Sequence, residues 1–412
     1  MEAMDIQAVE SKLSDVTVTA IPMSGKNVHK DLGHGGSSHA TISTVPAASP
    51  SSIGKDKDNG TSNIYGFRRI MAAWSTKWRW NTGYSADSVE WCPVEPYRDV
   101  LVCGTYQLEK KDEDQQTKKQ TRLGRIYLFQ INQDTVDLCP VQTVVTAGIL
   151  DQKWCYHTIQ DHPVLAVVTS EGSLLLYQLY ENDGYNLKLW LEDSIGQDVL
   201  ALSLDWSTNK ESGEPMIVVS GSAGDVTVFK IVGGGLMRVG TWKSHGFEAW
   251  IAAFNYWNPD VFYSGGDDCV FKSYDIRVPD AAVMTNRSHE AGVTSIRSHL
   301  EVEHQLITGS YDEKVRLWDT RSLKRCLTET AVNGGVWRLK YHPSSPSTVL
   351  AACMYGGFRV LGVTDSISVL CEYMEHESIA YGADWKFDNS GTVATCSFYD
   401  CSMHVSKIEI EN

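Results

Sequence analysis

The sequence predicts an all-β protein, a seven-bladed β-propeller preceded by a disordered N-terminal tail. Three observations predict this fold. Short apolar stretches repeatedly end in a polar residue followed by a large aromatic residue, a Gly/Ser/Asp-rich turn follows most of them, and helical periodicity is scarce. Repeated units of this kind are typical of propellers, which protect their strand edges by closing into a ring.

Residues 1–63 form the predicted tail. They contain no Phe, Trp or Tyr and are rich in Ser, Thr, Gly and Ala. Such a segment buries too little apolar surface to offset the entropy lost on ordering, so we expect it to be disordered. Aromatic residues become dense from Tyr65 onward, and we assign residues 64–412 to the propeller.

The repeating motif places the first strands of successive blades near residues 87, 150, 198, 248, 292, 334 and 378. The first interval is the longest because it contains a charged insertion at about 109–121, which we expect to be a solvated loop. The last blade ends near Ile410 with three strands. Residues around 68–82 should therefore supply its fourth strand and close the ring.

The repeated unit resembles the WD-repeat blade, most closely over residues 292–333. In that blade the turn at 308–312 leads into an outer strand at 314–319, which ends in Trp and Asp. The last outer strand departs from this pattern. It carries Ser406 where a WD repeat would place Trp, so the packing of that blade is left open.

Composition and charge argue against several classes of protein. The chain has 51 Asp and Glu against 36 Lys and Arg and a net charge of −15, which disfavours nucleic-acid binding. It contains no apolar run long enough for a membrane span, and no basic-then-apolar leader typical of secretion. The ten cysteines are scattered without a C-x-x-C pair, so we expect reduced thiols and no metal site.

The familiar catalytic signatures are absent from the sequence, including the G-x-S-x-G elbow, the P-loop and the H-E-x-x-H motif. Chemistry is therefore expected from residues around the central channel. His245, His289 and His376 each precede an inner strand, where WD-repeat blades carry a structural His. We expect His289 to be structural. His245 and His376 lie in blades without the outer Trp and are candidates for catalysis, with a structural role as the alternative.

Carboxylates and tryptophans near the predicted channel are further candidates. Asp267 and Asp268 share one turn, and the blade needs only one of them, so the other could act as a base or face a cation. Asp384 lies on an inner strand, where a solvated channel lining is the alternative. Tryptophans beside carboxylates would hold a quaternary ammonium group by cation–π attraction, with core packing as the alternative. The inner-strand tryptophans are Trp250, Trp337 and Trp385.

Several segments go beyond a general WD-repeat match and resemble the WD-repeat diphthine methyl ester hydrolases of eukaryotic diphthamide biosynthesis. The resemblance covers residues 65–412 and is most specific from His245 to Asp268. The segments that carry it are 245–254, 263–268, 334–343, 350–354, 381–385 and 394–400.

This resemblance implies an enzyme that hydrolyses the methyl ester of methylated diphthine, a modified His of elongation factor 2, to diphthine and methanol. We expect no cofactor, and a monomer in the cytoplasm, with nuclear presence left open. The trimethylammonium group beside the ester favours acidic and aromatic walls. The expected catalytic group is His245, Glu248, Asp267 and Asp268 beside Trp250, with His376 and Asp384 across the channel.

A non-catalytic WD-repeat adaptor is the competing interpretation, and the lack of a nucleophile motif favours it. A nucleic-acid-binding propeller is a third possibility that the charge disfavours.

Overall fold

The computed structural model describes residues 72–109, 120–132, 135–207, 214–279 and 281–410. Within these residues the backbone forms 28 β-strands and no helix. The predicted tail at 1–63 lies outside the described residues, as does most of the predicted insertion at 109–121.

The strands form seven antiparallel sheets of four strands each. Strand β1 (Ala72–Asn81) comes first in the chain but belongs to the last sheet. Blade 1 contains β2 (Ser85–Trp91), β3 (Val100–Leu108), β4 (Arg122–Gln130) and β5 (Gln142–Ala147). Blade 2 contains β6 (Ile149–Trp154), β7 (Val164–Thr169), β8 (Ser173–Glu181) and β9 (Tyr185–Ser194). Blade 3 contains β10 (Ala201–Trp206), β11 (Met216–Gly221), β12 (Asp225–Val232) and β13 (Gly235–Lys243).

The remaining four blades repeat this order. Blade 4 contains β14 (Ile251–Phe254), β15 (Val261–Gly265), β16 (Phe271–Asp275) and β17 (Met284–Asn286). Blade 5 contains β18 (Val293–Ser298), β19 (Gln305–Ser310), β20 (Lys314–Asp319) and β21 (Thr328–Ala331). Blade 6 contains β22 (Arg338–His342), β23 (Ser345–Ala352), β24 (Phe358–Val363) and β25 (Ile367–Tyr373). Blade 7 contains β26 (Ala380–Trp385), β27 (Thr392–Ser397) and β28 (Ser402–Ile410), with β1 outermost.

The first strands of the blades form the inner wall of the ring. Each contacts the next, and β26 contacts β2, so the ring closes. Strand β1 pairs antiparallel with β28, from Ala72 opposite Ile410 to Asn81 opposite Ser402. The predicted seven-bladed propeller is confirmed, and so is the closing strand expected around residues 68–82.

The hydrophobic core lies between neighbouring blades because the inner strands are covered on both faces. Strand β6 is buried along its whole length, whereas the outermost strand β5 alternates between exposed and half-buried residues. The largest fully buried side chains pack in these inter-blade layers; they include Trp91, Trp206, Trp318 and Trp385. Burying such large aromatic side chains supplies much of the hydrophobic stabilisation of a fold of this kind.

Blade 7 fills the place of the missing outer Trp with an aromatic residue from its neighbour. Ser406 is fully buried. The Tyr373 ring, from the last strand of blade 6, stacks on Trp74 of β1 with centroids 4.6 Å apart. The Tyr373 hydroxyl lies 2.7 Å from His404 Nδ1. The packing of blade 7 is therefore completed across the blade boundary.

Replacing Gly309 by alanine is expected to lower the free energy of unfolding by about 1–3 kcal/mol, the usual range for overpacking. An added Cβ would lie 2.3 Å from Val336 Cγ1 and 2.6 Å from Val336 Cβ. Gly246→Ala is the matched control, since an added Cβ there meets no atom within 4 Å. Urea unfolding of both variants checks the prediction, and equal midpoints would contradict it.

Candidate active site

Aromatic side chains line the end of the channel where the inner strands begin. Trp250 and Trp337 directly precede β14 and β22, and Tyr381 lies in the first residues of β26. Tyr311 and Phe398 come from turns at the same end. We call Trp250, Tyr311, Trp337, Tyr381 and Phe398 the aromatic mouth.

The rings of the aromatic mouth form a continuous chain of contacts. Trp250 lies 6.2 Å from Tyr311 and 5.9 Å from Trp337, measured between ring centroids. Trp337 stacks on Tyr381 at 4.6 Å, and Tyr381 lies 5.0 Å from Phe398. Trp250, Tyr311 and Trp337 are half-buried, so their rings keep some surface accessible to a ligand.

Two carboxylates flank the aromatic mouth on the blade 4 side. The Trp250 indole Nε1 donates a hydrogen bond to Asp267 Oδ1 at 3.2 Å. The Asp267 backbone N–H donates to the Glu248 carbonyl at 2.9 Å, which fixes the two residues next to each other. Burial raises the pKa of Tyr311, and the negative charges of Asp267 and Glu248 raise it further. The structure thus brings together four predicted residues: Trp250, Trp337, Asp267 and Glu248.

The mouth end of the channel is acidic. This end is formed by two sets of loops and the residues that flank them. One set precedes the inner strands, and the other joins the second and third strands of each blade. Among the described residues there, carboxylates outnumber Lys and Arg. The acidic residues are Glu109, Glu171, Asp198, Asp225, Glu248, Asp267, Asp268, Glu290, Asp312, Glu313, Glu375, Glu377 and Asp400, and the basic ones are Arg122, Lys243, Arg287, Lys314 and Arg338.

His245 and Asp268 belong to a buried hydrogen-bond network in blade 4. His245 Nε2 lies 2.9 Å from Ser264 Oγ, and His245 Nδ1 lies 2.9 Å from Asp268 Oδ1. The imidazole has no exposed surface. Burial lowers the pKa of His245, while Asp268 opposes that shift. The contacts of Ser264, His245 and Asp268 follow the order of a hydrolytic triad.

The same network recurs in blades 5 and 7. His289 Nε2 lies 3.0 Å from Thr308 Oγ1, which also accepts a hydrogen bond from Trp318 Nε1 at 2.8 Å. His376 Nε2 lies 2.9 Å from Thr395 Oγ1. This recurrence favours a structural role, in which each His holds its loop against the blade. A catalytic role for His245, Asp268 and His376 stays a prediction.

Two stacked histidines in blade 7 are expected to make stability depend on pH. His376 and His404 have ring centroids 3.8 Å apart. Burial, followed by the charges of His404 and then Arg79, lowers the pKa of His376 to about 2. Burial, followed by Arg79, lowers the pKa of His404 to about 4, against the opposing charges of Asp400 and Glu375.

In the unfolded chain both histidines take up a proton near pH 6.5, whereas in the folded protein they stay neutral to lower pH. The free energy of unfolding should therefore fall as the pH falls from about 6.5 to 4, by ~1.4 kcal/mol per pH unit for each histidine. Urea unfolding across this range measures the slope. His404→Gln should make it shallower, and an unchanged slope would contradict the prediction.

Asp384 and Trp385 lie at the other end of the channel, near the end of β26. Asp384 Oδ2 accepts the Trp91 backbone N–H at 2.8 Å, and Asp384 Oδ1 lies 3.4 Å from Lys340 Nζ. The Trp385 ring is buried in the core and donates to the Lys340 carbonyl at 3.2 Å. At about 3.3 Å per strand residue, both are separated from the aromatic mouth by most of the channel length. The structure therefore does not bring Asp384 or Trp385 to His245.

Buried ion pairs fill the channel between its two ends. Asp151 pairs with Lys153 and, at 2.9 Å, with Arg338 Nη2. Arg297 Nη1 lies 3.3 Å from Asp205 Oδ1, and Lys340 pairs with Glu90. Sequence reasoning missed the channel role of Arg338, Tyr311 and Tyr381, because no catalytic or ligand-binding signature marks these positions. The sequence signal that could have indicated this role is position. Each residue lies at the start of an inner strand or in a turn at the same end of the channel.

Within the described residues, no group of three or more His, Cys, Asp or Glu side chains is arranged to hold a metal ion. The same part of the chain contains no helix long and apolar enough to cross a membrane. All ten cysteines are free thiols.

The fold and the site define a WD-repeat β-propeller protein whose channel has an aromatic, acidic mouth. A chain in the crystal structure of the mitotic checkpoint complex matches it with a TM-score of 0.62 over 87% of this chain and 98% of that chain, at 13% identity, which shows the fold alone. By sequence, the chain belongs to the diphthine methyltransferase family.

Three relatives show this membership. Diphthine methyltransferase of Mus musculus is 42% identical over 327 residues, which cover 74% of this chain and 68% of the relative. The Homo sapiens protein of that name is 40% identical over 332 residues, covering 74% of each chain. The Dictyostelium discoideum homolog is 36% identical over 360 residues, covering 77% of this chain and 95% of the relative. The predicted family resemblance is confirmed.

A family model described as cyclin-dependent kinase 2-associated protein matches residues 1–38. This match covers a small part of the chain and lies outside the described residues.

Proposed function

We propose that this protein hydrolyses the methyl ester of methylated diphthine on elongation factor 2, giving diphthine and methanol during diphthamide biosynthesis. Relatives named for diphthine support a role in that pathway. The observation that carries the proposal is the aromatic mouth with its two flanking carboxylates.

A trimethylammonium group is a permanent cation without N–H donors, so ion-pair and hydrogen-bond geometry cannot select it. It is recognised instead by aromatic faces and nearby negative charge. Trp250, Trp337 and Tyr311 present half-buried rings within 6.2 Å of one another, measured between centroids. Asp267 and Glu248 supply the negative charge beside them. The mouth therefore has the chemistry that this substrate group requires.

A modified side chain must be presented by a protein that docks around the mouth. Apolar side chains project from the mouth-end loops: Phe247 is 58% exposed, Tyr355 72% and Met374 59%. Such residues, set among acidic loops, suit a partner that is basic around its modified residue, and the field of the acidic end would speed association. We infer that elongation factor 2 docks on this end.

The decisive experiment incubates the purified full-length chain with methyl-esterified elongation factor 2 and follows the mass of the substrate. The expected result is loss of one methylene unit per substrate and release of methanol, with turnover and no added cofactor. Stoichiometric binding without a mass change would instead show a non-catalytic adaptor. A methylene gain that requires a methyl-sulfonium donor would show methyl transfer, the activity that the relatives' name describes.

We further propose that residues 64–412 carry the activity, as a monomer in the cytoplasm, with nuclear presence left open. Light scattering during turnover measures the oligomeric state, and a dimer would contradict the first part of this proposal.

A further inference from the structure

Asp87 is a buried carboxyl group in the wall of the channel, directly behind the aromatic mouth. It lies at a β-bulge in β2, where the register shifts between Ala86 and Ser88. Tyr381 lies at the corresponding bulge of β26, between Ala380 and Gly382. Because β2 and β26 are adjacent inner strands, Asp87 follows Tyr381 around the ring.

Asp87 differs from the other carboxylates of the inner strands. Asp151, Asp205 and Asp384 each accept a backbone N–H of the neighbouring blade, and Glu90 pairs with Lys340. Asp87 is 2% exposed, and its Oδ1 accepts no hydrogen bond from any described residue. A buried polar atom left without a partner is costly, so its presence calls for a functional explanation.

The groups that face Asp87 come from five strands. Arg338 of β22 is the nearby cation, and Asp151 of β6 is the nearby anion. Tyr381 of β26 and the thiols of Cys103 on β3 and Cys396 on β27 complete the surroundings.

Burial raises the pKa of Asp87 well above its ordinary value, Arg338 opposes the shift, and Asp151 adds to it. A carboxyl group with such a raised pKa is a stronger base than an exposed one.

We propose that Asp87 is the general base of the site, with Arg338 as donor to the developing oxyanion. This inference rests on the proposed function. With the trimethylammonium group in the aromatic mouth, the adjoining ester extends past Tyr381 toward Asp87. Asp87 takes a proton from water while the water oxygen bonds to the ester carbon. The tetrahedral intermediate then breaks its bond to the methoxy oxygen, which receives the proton from Asp87 and leaves as methanol. The product is the carboxylate, with one proton released.

Asp87→Asn tests the proposal with a side chain of the same size. In the full-length protein acting on methyl-esterified elongation factor 2, kcat should fall by about 10²–10⁴-fold, the usual contribution of general-base catalysis. KM should stay near the wild-type value. Wild-type kcat should rise with pH as Asp87 loses its proton, and this rise should be absent from the variant. Glu181→Gln, an exposed carboxylate at the end of the ring away from the mouth, is the control and should keep both rate and pH profile.

Asp87→Ala provides a second test, chemical rescue, which is not expected if Asp87 has only a structural role. The vacated space should admit formate, and added formate should restore part of the lost rate. An Asp87→Asn variant with the wild-type rate and pH profile overturns the proposal and leaves the proposed function intact. If that variant does not fold, absence of formate rescue in Asp87→Ala overturns it. Absence of methanol release by the wild-type protein overturns the proposed function itself.

Discussion

Replacing Trp250 and Trp337 together by alanine is expected to weaken substrate binding by ~30-fold, or about 2 kcal/mol, the sum of two moderate cation–π contacts. Each ring is half-buried at the channel mouth, and the two centroids lie 5.9 Å apart. Removing both leaves Asp267 and Glu248 to hold the cation through water-screened charge alone. Titration of wild-type and variant protein with methyl-esterified elongation factor 2 measures the change.

The double variant Trp250→Phe, Trp337→Phe is the matched control. It keeps two aromatic faces while losing the indole N–H that donates to Asp267. Binding should stay within a few-fold of wild type if aromatic faces hold the cation. Equal loss in both double variants would show that the indole hydrogen bond, rather than the rings, matters for binding.

Asp151→Ala is expected to lower the free energy of unfolding by about 3–5 kcal/mol, because it leaves buried cations without their anion. Asp151 has no exposed surface and pairs with both Lys153 and Arg338. Burial alone would raise the pKa of Asp151, but Arg338 and Lys153 hold it below the ordinary value. Its contribution is therefore present above the unfolded-state pKa and is lost as pH falls through the lower folded-state value.

Arg321→Ala is the control for Asp151→Ala, because it breaks an ion pair at the surface. Arg321 Nη2 lies 2.6 Å from Asp319 Oδ2, but the Arg321 side chain is 68% exposed. Such pairs contribute about 0–1 kcal/mol. Urea unfolding at neutral pH compares the two variants. Similar small losses in both would mean that the channel ion pairs contribute no more than surface pairs.

The blade pattern was readable from sequence because it depends on local physics. Turn residues, alternating strands and a recurring large aromatic residue mark each blade, whatever the rest of the chain does. The closing strand could also be predicted, since a three-stranded last blade leaves an unpaired edge. The replacement for the missing Trp at Ser406 could not be predicted. It comes from Tyr373 and Trp74, which are far apart in sequence and meet through ring closure.

The site was predicted in part for the same reason. Trp250, Asp267 and Glu248 lie within one blade, so their proximity follows from short sequence spacing. Trp337 joins these three residues from another blade, but Asp384 does not. The sequence assigned both Trp337 and Asp384 to inner strands and did not distinguish them. Which end of the strand a residue occupies decides this difference, because all inner strands begin at the same end of the channel.

Local sequence thus specified the class of fold, the number of blades and the acidic excess, since strand periodicity, turn chemistry and charge are properties of short segments. Ring closure decided which side chains from different blades share the channel mouth, because it sets those blades side by side. It also left Asp87 buried without a partner for its Oδ1. An acidic residue in a strand gives no hint of that isolation, which depends on every neighbour that the closed ring places around it.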